Sequence, residues 1–231
     1  MREKNFIELP DYEELASRWL GNYDSANYNR SLSASVLSRT HALIERRFSP
    51  EVSFPDVLEI GAGTLAHLPF VRHRFSRYIA SDFDQNVLDA AASILGSRAD
   101  VQLLKLDGRS LPFANDTFDR LIATHVLEHV QDPHLALQEW VRVVRPGGVI
   151  SLILPCDPGW AWRIGRYLGP RRAAKEAGLP YDYYMAREHI NSIFNLHQIL
   201  KYHFPNREVQ WWPTRVPLAD INLIYAGNFY V

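Results

Sequence analysis

The chain has 231 residues with 47% hydrophobic, 12% aromatic and 22% charged side chains, which is enough to bury one full core and excludes disordered and fibrous chains. Lys and Arg total 25 against 26 Asp and Glu, a formal net charge of −1, so no global field draws the chain to nucleic acid or anionic membrane, and any such binding has to be local. One cysteine, Cys156, excludes an intrachain disulfide framework and a cysteine-only metal site.

The first ten residues lack the apolar region of a signal peptide, and no apolar run approaches the ~18 residues of a membrane span. A cytoplasmic protein is the default expectation. Residues 11–49 carry helical patterning and many aromatics (Tyr12, Trp19, Tyr23, Tyr28) but no strand pattern, and they predict helices laid over one side of a sheet as part of a lid. From residue 56 short apolar runs predict strands at Asp56–Ile60, Tyr78–Ser81, Val101–Leu104, Arg120–Thr124 and Val149–Leu154. Between them helical spacing recurs, as in Val87, Leu88, Ala91, Ile94 and Leu95, or Leu135, Leu137, Trp140, Val141 and Val144. Alternation of this kind predicts βαβ units and a doubly wound, Rossmann-like α/β domain. Pro146-Gly147-Gly148 reads as a turn before the fifth strand, and Phe118 as core. Residues 155–190 are punctuated by Pro and Gly, a long interruption of the kind that is more often functional than idle. A helix over Ile193–Phe204 and strands over Glu208–Trp212 and Ile221–Tyr230 close the chain. The organisation is one domain over 1–231: a helical cap at 1–50, a core at 55–155, a substrate-side insert at 155–190, and a closing helix and strands at 191–231.

Val57-Leu58-Glu59-Ile60-Gly61-Ala62-Gly63 is a strand running into a glycine turn, where backbone can approach a ligand at a helix N-terminus. This, with Asp82 twenty-one residues after Gly61, also fits a dinucleotide site, because an acidic side chain there grips the ribose diol of any adenosine cofactor. Glu59 discriminates. A carboxylate two residues before the first glycine opposes a pyrophosphate but favours a ligand carrying an ammonium and a sulfonium, which points to S-adenosylmethionine.

Glu59-x-Gly61-x-Gly63, Asp82, Asp107 in Leu106-Asp107-Gly108-Arg109-Ser110-Leu111-Pro112-Phe113, Phe118-Asp119, Leu127-Glu128-His129-Val130 and Arg145-Pro146-Gly147-Gly148 together resemble the class I S-adenosylmethionine-dependent methyltransferases. The resemblance covers about residues 55–155. It implies that Glu59, Gly61, Ala62 and Gly63 cradle the methionine end and that Asp82 holds the ribose hydroxyls. It further implies that Asp107 and Gly108 meet the adenine amino group, that Phe83 packs on the adenine, and that Thr124 lies near the methyl-bearing sulfur. It also implies a seven-stranded sheet ending in an antiparallel hairpin.

Methyl transfer requires an aligned acceptor and, for a hydroxyl, removal of a proton, so candidate bases should follow the fourth strand. His125 stands there, and if His125-Val126-Leu127-Glu128-His129 is helical, His125, Glu128 and His129 share a face. The segment resembles the Glu-x-x-Glu-His metal site of small-RNA 2′-O-methyltransferases and ubiquinone-pathway O-methyltransferases. By that resemblance His125 stands in the place of the first glutamate and His189 matches a further ligand. The metal-free reading makes His125 or His189 a general base, since a neutral imidazole titrates near physiological pH. The other histidines (His41, His67, His73, His134, His197, His203) and Cys156 are expected to be ordinary surface or core residues.

The insert sets five arginines and Lys175 against four carboxylates, a balance of +2, with six aromatics interleaved. That mixture suits a small-molecule acceptor carrying phosphate or carboxylate, with a saccharide favoured. Nucleic acid is not expected, because no half of the chain is strongly basic. The reading is O-methyl transfer to a small hydroxylated acceptor. Its alternatives are N-methyl transfer to a small amine, a non-catalytic S-adenosylmethionine-binding adaptor and a dinucleotide-dependent oxidoreductase. The sequence leaves the oligomeric state open.

Overall fold

A computed structural model describes residues 32–231. The expectation for residues 11–31, with Tyr12, Trp19, Tyr23 and Tyr28, lies outside the described residues, and the cap within them is one helix, α1 (Leu32–Glu45). The sheet is built from β1 (Asp56–Ile60), β2 (Arg77–Asp82), β3 (Val101–Lys105), β4 (Phe118–Thr124), β5 (Val144–Pro155), β6 (Arg207–Trp212) and β7 (Ile224–Tyr230). Strand order is β3-β2-β1-β4-β5-β7-β6, with β7 antiparallel to both neighbours and the other pairings parallel. The seven strands and the C-terminal antiparallel hairpin are those the sequence implied.

The parallel strands are legible because both of their faces are covered: Val57 and Leu58 point to opposite sides of β1, and neither is exposed. One core layer packs Leu58, Leu121, Ile150 and Leu152 beneath α3 (Pro133–Val143) and α7 (Ile193–His203). The other packs Val57, Tyr78, Ile122 and Ile153 beneath α1 and α2 (Gln85–Leu95). The Asp84 carboxylate caps α2 by accepting from the Asn86 N–H at 2.8 Å, and Ser192 caps α7.

The Pro- and Gly-punctuated insert at 155–190 is helical, with α4 (Trp160–Leu168), α5 (Pro170–Glu176) and α6 (Tyr181–Glu188). Gly159, Gly169, Pro170 and Pro180 sit at the helix boundaries, where an N-cap or first-turn position tolerates them, and Gly165 alone lies in the interior of a helix. Two expectations change. Pro146-Gly147-Gly148 is not a turn ahead of β5 but a bulged excursion within it, since the register shifts between Phe118↔Val144 and Arg120↔Val149. The last strand begins at Ile224, because Ala219–Ile221 forms a single 3-10 turn.

Arg120 of β4 is fully buried and ties four elements together. Its guanidinium pairs with Glu45 of α1 at 2.6 Å, donates to Ser151 Oγ of β5 at 3.0 Å and stacks 4.4 Å from the Phe48 ring centroid. Ser151 donates to Asn228 of β7, whose amide returns to the Ile44 carbonyl of α1. Glu45 also accepts from His67, which bonds His41 in turn at 3.0 Å. The Arg120 charge outweighs the burial that opposes ionisation and, with the His67 bond, holds the Glu45 carboxyl far below its ordinary range. Removing one partner strands the other charge in the core. Arg120→Met is expected to cost about 3–5 kcal/mol in urea unfolding, and Glu45→Gln/Arg120→Met to recover more than half of it.

Candidate active site

The glycine turn leaves β1 with Gly61 at φ +67° and Gly63 at φ +54°. Both angles favour glycine, and a β-carbon at Gly61 would overlap the Val126 side chain in the turn after β4. The Gly63 N–H donates to Asp82 Oδ2 and the Asp84 N–H to Asp82 Oδ1, each at 3.0 Å, so the end of β2 is fixed directly to the glycine turn. Ala62 joins the same junction through its N–H, which donates to the Ser81 carbonyl at 2.9 Å. Phe83 beside it is 72% exposed, an aromatic face free to stack on a flat ring.

No α-helix follows the glycine turn, contrary to the sequence expectation. Leu65 has φ +66°, which no α-helix accommodates, and Pro69 removes a donor, so the segment closes as a 3-10 turn over Leu68–Phe70. A pyrophosphate would therefore find no helix dipole here.

Glu59 lies in β1, two residues before the glycine turn, inside the domain. It is 1% exposed, and its Oε2 accepts from the Tyr78 hydroxyl at 2.6 Å. Burial raises its carboxyl above the ordinary range and that of Tyr78 well above its own. Its Oε1 is buried with no hydrogen-bond partner among the described residues, so one carboxylate oxygen can still accept from a ligand ammonium while the other keeps the Tyr78 bond, and the missing helix adds a second discriminator against phosphate. Asp107 is clamped by the Arg109 guanidinium at 2.7 Å, a hydrogen bond that holds its carboxyl below the ordinary range, so an adenine amino group would have to share it. A β-carbon at Gly108 would lie 2.7 Å from Ile60 Cγ2, so Ile60 would have to shift to admit one, and the Gly108 carbonyl accepts from the Trp140 indole.

Beyond β4, Thr124 pairs with Ile153 and the chain turns at His125, whose φ is +58°. The following residues form a tight turn rather than a helix, closed by the His129 N–H on the Val126 carbonyl. Asn191 secures it by donating to the Leu127 and Val130 carbonyls at 3.0 and 2.6 Å. Glu128 is buried beneath. Burial opposes its ionisation, but the His125 bond and the neighbouring imidazoles prevail and hold its carboxyl below the ordinary range.

The ligand atoms of Glu128, His129 and His189 lie within 4.8 Å of one another and could hold a divalent cation. His125 is not of that group. Its Nδ1 is 3.5 Å from Glu128 Oε1, and its Nε2 is buried with no partner among the described residues. The segment is not the helix that spacing presupposed, yet Glu128 Oε1 lies 3.5 Å from His125 Nδ1 and 3.9 Å from His129 Nε2. His129 Nδ1 donates to the Glu188 carbonyl at 3.0 Å, and His189 Nδ1 pairs with Asp157 Oδ2 at 2.8 Å. Each imidazole thus presents its Nε2. Asp157, just past β5, also binds Arg166 at 2.9 Å; burial works against its charge, but the His189 bond and the Arg166 guanidinium keep its carboxyl low. Asp157 was not among the expected site residues, although its position next to Cys156 just past a parallel strand was a signal. Cys156 is buried, and burial pushes its thiol up to about 12.

Residues 58–152 match the methyltransferase domain family. Over these residues the chain is similar to S-adenosylmethionine-dependent methyltransferases. The chain is 31% identical over 150 residues to a demethylmenaquinone methyltransferase of Corynebacterium urealyticum, covering 64% of this chain and 62% of that protein. It is 32% identical over 100 residues to a phosphatidylethanolamine N-methyltransferase of Cereibacter sphaeroides, covering 42% and 49%. The chain therefore spans less than two thirds of these relatives. An S-adenosylmethionine-dependent methyltransferase of Thermotoga maritima shares the fold at 17% identity, with TM-score 0.61 over 94% of this chain and 98% of that one.

The Gly63–Asp82 junction gives the cofactor reading a direct test. Asp82→Asn places an amide group against one of two N–H donors. It is expected to weaken S-adenosylhomocysteine binding at least about tenfold in titration calorimetry. Unchanged affinity would remove Asp82 from the site.

Proposed function

We propose that the chain transfers a methyl group from S-adenosylmethionine to a hydroxyl of a small acceptor. His189 would take the hydroxyl proton. The observation that carries this reading is the His189–Asp157 pair: a carboxylate that accepts from Nδ1 orients the ring and leaves Nε2 as the base. His189 and Asp157 border an open cavity of about 700 Å³ between α4 and α6, whose walls include Trp160, Tyr167, Tyr181 and Met185. An acceptor in that cavity would approach the glycine turn through the contact of Gly61 with the post-β4 turn. The transfer breaks the sulfonium–methyl bond and forms the oxygen–methyl bond, leaving S-adenosylhomocysteine and the proton on the base.

The aromatic walls favour an apolar or aromatic acceptor body over the saccharide of the sequence reading. The names of the two relatives support the same choice, since demethylmenaquinone and phosphatidylethanolamine are both lipids. His125, the other candidate base, borders no part of that cavity and has no carboxylate partner closer than Glu128 at 3.5 Å. A second reading rests on the clustering of Glu128, His129 and His189: a bound divalent cation would ligate the acceptor oxygen and lower its pKa.

The test is transfer of labelled methyl from S-adenosylmethionine to a panel of phenolic and quinol acceptors. His189→Ala and Asp157→Asn are expected to lower turnover by about 10²–10⁴-fold while S-adenosylhomocysteine affinity stays within about twofold. Activity that survives chelation supports the base, activity lost on chelation and restored by manganese supports the cation, and wild-type turnover in both variants overturns the reading.

A further inference from the structure

Helix α4 is amphipathic in the inverted sense. Trp160, Ile164, Tyr167 and Leu168 fall at i, i+4, i+7 and i+8, one stripe of the helix surface, and are 65%, 55%, 64% and 71% exposed. No residue of α4 is buried. The opposite side fastens the helix to the domain: Trp162 packs against the core layer beneath α1, and Arg166 reaches Asp157 at 2.9 Å and lies over the Tyr181 ring. At its start, Gly159 is pressed against the Ala219 carbonyl, and the Trp160 N–H faces Asp220 at 3.3 Å. The outward stripe belongs to an anchored helix, not to a frayed end.

Basic residues surround this stripe. Residues 160–176 hold Arg163, Arg166, Arg171, Arg172 and Lys175 against the single carboxylate of Glu176. Arg163 lies 5.3 Å from the Trp160 ring centroid and Arg171 5.4 Å from that of Tyr167, so guanidinium groups stand at the rim of the apolar face. Arg171 and Arg172 have exposed carboxylate partners, whereas Arg163 and Lys175 have none among the described residues.

Tryptophan, tyrosine and branched aliphatics on one face with arginine and lysine around them match the layering of a bilayer surface, where acyl chains meet anionic headgroups. We propose that the α4 face docks the protein on an anionic lipid bilayer. The helix lies in the interface plane with Trp160, Ile164, Tyr167 and Leu168 below the headgroups and Arg163, Arg171, Arg172 and Lys175 among the lipid phosphates. Among the described residues no helix is long and apolar enough to cross a membrane, so the attachment is peripheral. The chain as a whole is nearly neutral, and the attraction is local to this face. Docking itself does not rest on the methyl-transfer reading. That reading adds one consequence: Trp160, Ile164 and Tyr167 also line the cavity that reaches His189, so a lipid acceptor would enter from the bilayer.

The experiment is co-sedimentation of the full chain with vesicles of equimolar phosphatidylglycerol and phosphatidylcholine, and with vesicles of phosphatidylcholine alone. Binding to the anionic vesicles is expected, and at least about tenfold weaker binding to the neutral ones. Ile164→Glu/Leu168→Glu is expected to lower partitioning at least about tenfold with an unchanged melting temperature, since both side chains are exposed. Arg163→Gln/Lys175→Gln removes two cations with no carboxylate partner among the described residues and should weaken binding to the anionic vesicles alone, which keeps the test open if the first variant melts early. Equal binding to both vesicles, no binding to either, or variants that partition like the wild type would overturn the proposal. So would sedimentation velocity without vesicles showing self-association that Ile164→Glu/Leu168→Glu abolishes, which would give the face to a second copy of the chain.

Discussion

The site depends on a missing methyl group. With hydrogen alone at Gly61, the turn after β1 can rest on Val126 in the turn after β4, and a β-carbon would force them apart. Parallel pairing of β1, β4 and β5 brings their C-terminal ends side by side, as Ile60↔Ala123 and Thr124↔Ile153 show. Gly61, His125 and Asp157 leave those three ends in turn. The glycine turn and the histidine turn are thus adjacent because of strand order. The close approach at Gly61 fixes their spacing.

Charge inside the core is concentrated on the other side of that arrangement. Glu45, Arg120, His67 and His41 form one chain of bonds that joins α1 to β4, and Ser151 and Asn228 extend it to β5 and β7. Such a chain costs desolvation, so its use is positional: it fixes α1 over the sheet in one register. Glu59 sits near the same group of charges, which include His67, Arg120 and Glu45, and is drawn inward to Tyr78. Its second carboxylate oxygen, Oε1, is left without a hydrogen-bond partner among the described residues.

The sheet was legible because buried parallel strands are written as short apolar runs, and β1 to β5 were placed within a few residues. Helices α4 to α6 were not, because Gly159, Gly169, Pro170 and Pro180 are the same residues whether they punctuate a loop or bound a helix. The glycines at 61 and 63 and Asp82 were legible through spacing, whereas the absence of a helix after them turns on Leu65 at positive φ, for which the sequence has no signal. His189 was named for its resemblance and Asp157 was missed. Their contact spans 32 residues, and nothing local in the sequence announces a contact across that separation. The outward face of α4 shows why periodicity alone does not place a helix: the stripe that normally turns to the core here turns away from it.

The account stands on one cofactor. Titration calorimetry of the full chain with S-adenosylhomocysteine, and separately with a nicotinamide dinucleotide, tests it most directly. A glycine turn with no helix behind it and Asp82 at the end of β2 predict one saturable S-adenosylhomocysteine site per chain and no dinucleotide binding. Dinucleotide binding that S-adenosylhomocysteine fails to displace, or no S-adenosylhomocysteine binding at all, would contradict the account.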